Sequence, residues 1–197
     1  GSEMCIRDRL DIWRNIVNSI PTYKTNKDGA VKEWQDDRFE DRYYHRHLSH
    51  LYPVFPGDEI TSESNNISSF EKAVDLREIG VQTGWSLVHM AAIYARFERG
   101  NDAMQCLNDI AKTCIQKNFF TLHNDWRRMD ISLEMESSAT VQLDALMGYV
   151  NAVQEMILYS SEKLIKLLPA LPDNMSKGKI DMWRFVGGSV NMEWDIK

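Results

Sequence analysis

Apolar residues fall at positions 10, 12, 13, 16, 17 and 20 of LDIWRNIVNSI, the spacing of one helical face, and Pro21 ends the run. Residues 21–32 are polar, with Lys27-Asp28-Gly29 as a turn signal. Residues 33–62 follow no period and are rich in aromatics, His and acids; Pro53, Pro56 and Gly57 keep them from forming one helix. A polar loop is expected over 61–69 and a short helix over 70–80. Thr83 reads as an N-cap. The helix it opens, 84–99, is apolar nearly all round (Trp85, Leu87, Val88, Met90, Ile93, Tyr94, Phe97), so it should be buried on most sides. Gly100 suits a left-handed cap and Asn101 the N-cap of a following helix, 102–117. That helix would bury Ala103, Leu107, Ile110, Ala111 and Cys114, making 84–117 an antiparallel helical hairpin.

A long irregular stretch, 118–139, precedes the next helix, 141–159, whose expected inner stripe is Leu146, Val150, Val153 and Ile157. After LLPALP (167–172) the period changes to two. Met182, Arg184 and Val186 alternate with Trp183 and Phe185, residues 189–194 alternate likewise, and Gly187-Gly188 between them signals a hairpin. The fold class is therefore mainly α, with a β segment at the end. The chain stops at Lys197 in mid-strand, with nothing to pair that edge, so both ends of the chain read as cut.

Composition narrows the function. The 197 residues carry 23 Lys plus Arg against 29 Asp plus Glu, a net charge of −6, with 43% hydrophobic and 26% charged residues. These are the proportions of an ordinary globular domain, not of a disordered, collagenous or disulfide-built chain. The acidic balance argues against nucleic acid as a partner. No run of eighteen apolar residues suggests a membrane span, and no signal peptide is visible. The opening string MCIRDR resembles translated sequencing-adapter read-through, so residues 1–9 are set aside as non-native, and the compartment stays open. Cys106 and Cys114, eight residues apart on one predicted helix, are about 12 Å apart. That is too far for a bridge, so buried free thiols are expected. Six Trp, seven Tyr and seven Phe suit either a core or a sugar site.

Two constellations carry chemistry. In His45-Arg46-His47-Leu48-Ser49-His50 three imidazoles lie within six residues. Their spacings do not form a helical metal pair and no second motif completes a shell. Structural hydrogen bonding and contact with a polyhydroxylated ligand remain the other readings, since His, Arg, Ser and Tyr supply dense directional donors. The second is a set of carboxylates near aromatic rings: Glu33-Trp34, Asp36, Asp37, Glu40, Asp41 and, separately, Asp144. Glycoside hydrolysis needs one protonated and one ionised carboxyl group. Asp144 opens a helix, where the dipole favours the ionised form, as a base requires. It equally fits an ordinary first-turn helix acid. Neither a GxSxG nucleophile nor a phosphate-binding Gly-rich loop is present.

Several strings occur in one order: Glu33-Trp34, HRHLSHLYPVFPG (45–57), TGWS (83–86), FTLHNDW (120–126), VQLD followed by GYVNAVQEM, and LLPALP. Together they resemble glycoside hydrolase family 95, the α-L-fucosidases, across residues 10–197. The resemblance implies a partial (α/α)6 barrel, a toroid of helical hairpins, over 10–166 and the start of a C-terminal β domain over 167–197. It implies hydrolysis of terminal α-L-fucosides, typically 1,2-linked, with inversion and without metal or cofactor; some members take α-L-galactosides. The partner would be a fucosylated glycan, together with the preceding half of the same chain. Asp144 falls on the family's water-activating aspartate. His45, His47 and His50 are expected to contact the sugar, and Trp85 and Trp126 to line the site. The family's acid glutamate and water-positioning asparagines would precede this chain, and Glu33 inherits no catalytic role. Ala145-Leu146-Met147 departs from the family's run after the aspartate, and Arg128 and Asp130 stand where relatives more often carry glycine. A non-catalytic glycan-binding remnant is the alternative these departures raise.

Overall fold

The segment that is apolar on nearly every face becomes the centre of the molecule. A computed structural model describes residues 2–125, 139–162 and 164–196. Among the described residues five helices, α1 (Ser2–Ser19), α2 (Ile67–Asp75), α3 (Gly84–Arg96), α4 (Gly100–Thr113) and α5 (Leu143–Ile157), precede four short strands. These are β1 (Leu158–Ser160), β2 (Ile165–Leu167), β3 (Lys177–Phe185) and β4 (Gly188–Asp195), paired as two antiparallel hairpins, β1–β2 and β3–β4. No helix among the described residues is long and apolar enough to cross a membrane.

α3 begins at Thr83, as expected, and the cap is reciprocal: the Thr83 N–H donates to Ser86 Oγ at 2.8 Å, and the two hydroxyls lie 3.3 Å apart. Its neighbours are α4 on one side and α5 on the other. Leu87, Met90 and Ile93 of α3 join Leu107 and Ile110 of α4 and Met156 of α5 in one core. The predicted α3–α4 hairpin is present, and Cys106 and Cys114 are buried and not disulfide-bonded. Leu48, Leu51 and Val54 anchor the aperiodic histidine segment to the same core. That segment forms only a single 3-10 turn, Ser49–Leu51.

Several expectations shift. α2 starts inside the stretch expected to be a polar loop and ends at Asp75; Phe70, Ala73 and Val74 give it a buried face, and a separate 3-10 turn covers Ile79–Val81. Gly100 is not a left-handed cap. Glu98 takes the positive φ of 61°, Arg99 is the N-cap, and Gly100 is the first helical residue of α4. Glycine is needed there because a Cβ would collide with the Ala170 carbonyl. Ala111 faces solvent rather than the core. The buried face of α5 is Ala145, Ala152, Met156 and Ile157, while Val150 is 61% exposed. The cause is the close approach of α3: a Cβ on Gly148 would lie 2.5 Å from Val88 Cγ2. Small residues therefore mark the closest contact in the first part of α5, and Val150 is turned away. The β1–β2 hairpin was not expected.

The closing hairpin is as predicted, turning at Gly187 with φ 95°. It carries a small separate cluster of Ile180 and Trp194 against Ile157. α1 is helical across both the segment set aside and its own apolar stripe. That stripe is uncovered: Trp13, Val17 and Ile20 are each 63% exposed.

Candidate active site

The first turns of α3 and α5 are tied together by backbone. Residues 121–123 run between them as a short extended segment, with Leu122 bridging Val141. Gln142 N–H donates to Thr121 O at 2.7 Å, His123 N–H to Thr140 O at 2.8 Å, and Gly84 N–H to His123 O at 2.9 Å. Trp85 N–H closes the clamp on the Gln142 side-chain carbonyl at 3.1 Å. Gly84 permits the approach, since a Cβ there would lie 2.7 Å from Leu122 O.

Trp85 and Asp144 therefore leave adjacent helix starts and share one cleft of about 290 Å³. Phe55, His89, Met147 and Asn151 complete most of its wall. The lining is largely apolar, and among the described residues Asp144 is its one carboxylate. Asp144 is exposed, sits in the first turn of α5, and accepts a hydrogen bond from Ala145 N–H at 3.0 Å.

Rings connect this cleft to the histidine segment. His45 and His47 have centroids 4.8 Å apart, His47 and Trp85 5.2 Å, and Trp85 and His89 6.2 Å in near-parallel stacking. His89 Nε2 lies 2.9 Å from Phe55 O. A carbonyl only accepts, so the proton is on Nε2. Burial holds the pKa of His89 below the ordinary imidazole value. His47 is lowered too, first by burial and then by its neighbours His45 and Arg46. His123 is lowered mainly by burial and further by Arg46, and is pulled the other way first by its hydrogen bond with Asn124 and then by the Asp144 carboxylate. Behind the cleft, Arg96 of α3 pairs with Glu155 of α5 at 2.6 Å and lies over the Tyr159 ring at 4.4 Å, fixing the two helices relative to each other.

The sequence-predicted residues thus separate. Asp144 and Trp85 line the cleft, His47 packs against Trp85 at a tilt of 42°, and His45 is one ring further out. His50 does not line the cleft. Its Nε2 lies 3.0 Å from the guanidinium of Arg77, and burial followed by Arg77 depresses its pKa to about 3. Trp126 lies outside the described residues. Sequence reasoning missed Phe55, His89, Asn151 and Arg77. A spacing signal existed for two of them: His89 is four residues after Trp85 on α3, and Asn151 seven after Asp144 on α5.

The family model for the glycosyl hydrolase family 95 catalytic domain matches residues 5–157. Alpha-L-fucosidase 2 of Arabidopsis thaliana is 31% identical over 191 residues, covering 89% of this chain and 21% of the relative. Probable alpha-fucosidase A of Aspergillus oryzae is 28% identical over 222 residues, covering 99% of this chain and 30% of the relative. The corresponding protein of Aspergillus niger is 26% identical over 186 residues, covering 85% and 22%. The chain therefore spans between a fifth and a third of the length of these relatives.

Proposed function

The chain belongs to glycoside hydrolase family 95, and from that premise we propose that it is part of an enzyme that releases L-fucose from terminal α-L-fucosides, 1,2-linked ones above all. The observation that carries this is the cleft: one exposed carboxylate on a helix N-terminus, faced by Trp85 across an apolar wall. A 6-deoxy sugar has an apolar face and a methyl group to set against such a wall, and hydroxyls that need directed partners.

In the inverting mechanism Asp144 holds a water on the face of the sugar opposite the leaving group. It takes the water's proton as the oxygen attacks the anomeric carbon. A second carboxyl, protonated, gives its proton to the departing glycan oxygen. That acid is a glutamate outside these residues. The α3–α4 hairpin is one unit of an (α/α)6 toroid, which the preceding part of the chain completes. His47 and His45 extend the Trp85 wall towards the sugar's hydroxyls, and His50 sits behind them.

Ala145-Leu146-Met147 after the aspartate favours a second reading, a protein that binds fucosylated glycans without cleaving them. One assay separates the two. The complete protein is incubated with a fucosyl-α-1,2-galactoside and with the α-L-galactosyl analogue, and the free monosaccharides are quantified. Release of L-fucose in preference to L-galactose is expected. Saturable fucoside binding with no release of either sugar selects the second reading.

A further inference from the structure

Arg77 follows α2, and its side chain is 1% exposed. Its guanidinium donates to three acceptors on one loop: Arg42 O at 2.8 Å, His45 O at 3.1 Å and His50 Nε2 at 3.0 Å. The Glu33 carboxylate, 4.0 Å from Arg77 and 3.7 Å from His45 Nδ1, supplies the counter-charge without taking over those donors. A buried charge is costly, and an apolar side chain of similar volume would serve packing alone at less cost. The planar fork suits a different task, because it addresses several acceptors at fixed angles, which an ammonium cannot do.

A guanidinium has no lone pair to offer, so His50 Nε2 must be the acceptor. The neutral ring then carries its proton on Nδ1. That nitrogen is buried and has no hydrogen-bond partner among the described residues. From His45 the same loop runs into the rings of His47 and Trp85 and so to the cleft.

We propose that Arg77 is a positioning residue for sugar binding: it fixes the 42–50 loop, whose His45 and His47 rings lead to the cleft, and it holds the buried His50 in the tautomer protonated on Nδ1. The proposal rests on the fucosidase reading for its substrate and on the loop geometry for its mechanism. Arg77 acts through the loop that carries His45 and His47, not on the reacting atoms.

The test uses the complete enzyme, its Arg77→Lys variant and, to control for packing, Arg77→Met. KM and kcat are measured on an aryl α-L-fucoside, and the His50 tautomer is read by ¹⁵N NMR. For a folded Arg77→Lys the expected result is a KM raised about tenfold, with kcat within about threefold of wild type. In the same variant His50 loses its single Nδ1–H form and gains the Nε2–H form. Arg77→Met should raise KM at least as far. Unchanged KM and an unchanged tautomer in folded Arg77→Lys overturn the proposal. So does a loss confined to Tm and kcat, which is what a purely structural role would give. If the wild-type enzyme cleaves no fucoside, the functional reading falls on its own. The NMR comparison then still decides whether Arg77 sets the His50 tautomer.

Discussion

Asp144→Asn in the complete enzyme is expected to lower kcat on α-L-fucosides by roughly 100- to 10,000-fold, the range that a positioned general base contributes. KM should stay within a few-fold, because asparagine keeps the shape and the Ala145 N–H can still donate to its side-chain carbonyl. The fold should be nearly unaffected: Asp144 is exposed, and losing a charge from a helix N-terminus costs about 0.3–1 kcal/mol. Initial-rate kinetics and a melting curve check both halves. Turnover near wild type would remove Asp144 from the chemistry. A collapsed melting temperature would mean that the carboxylate holds up the fold instead.

The second large effect concerns the 197-residue chain on its own, which is expected to release no detectable L-fucose and to self-associate. It supplies one carboxylate to a reaction that needs two. It also exposes apolar surface in two places. On α1 and just beyond its end these are Trp13, Val17 and Ile20; on α5 they are Leu143, Met147 and Val150. Stripes of this kind on a free protein drive association. Light scattering alongside the fucose assay tests the point. A monodisperse monomer with a cooperative melt would show that these faces need no cover, and fucose release would show that the site is complete without a further glutamate.

Much of the fold was legible because it rests on local periodicity. The all-round apolar pattern of 84–96, the Thr83 cap and the alternation after residue 180 each depend on neighbours a few positions away. What the sequence misled on depends on contacts between distant residues. Gly100 was read as a cap, yet it is required by Ala170, and the face of α5 is set by Gly148 meeting Val88. A pattern that ranks residues by hydrophobicity points to Val150, whereas close helix packing selects Gly148 and Ala152.

The site divides along the same line. Trp85 and Asp144 could be named from short motifs, because each opens its own helix. Their sharing one cleft depends on residues 121–123 clamping the two helix starts. His50 was placed with the sugar contacts because it belongs to the HRHLSH string. Its actual partner is Arg77, twenty-seven positions later and carrying no motif of its own.

The most direct test of the central claim is the stereochemical course of the wild-type reaction, followed by ¹H NMR on an α-L-fucoside in the first minutes. The account predicts β-L-fucose as the first anomer, with the α form growing in by mutarotation, as attack by an Asp144-held water requires. First appearance of α-L-fucose, or no fucose at all, would contradict it.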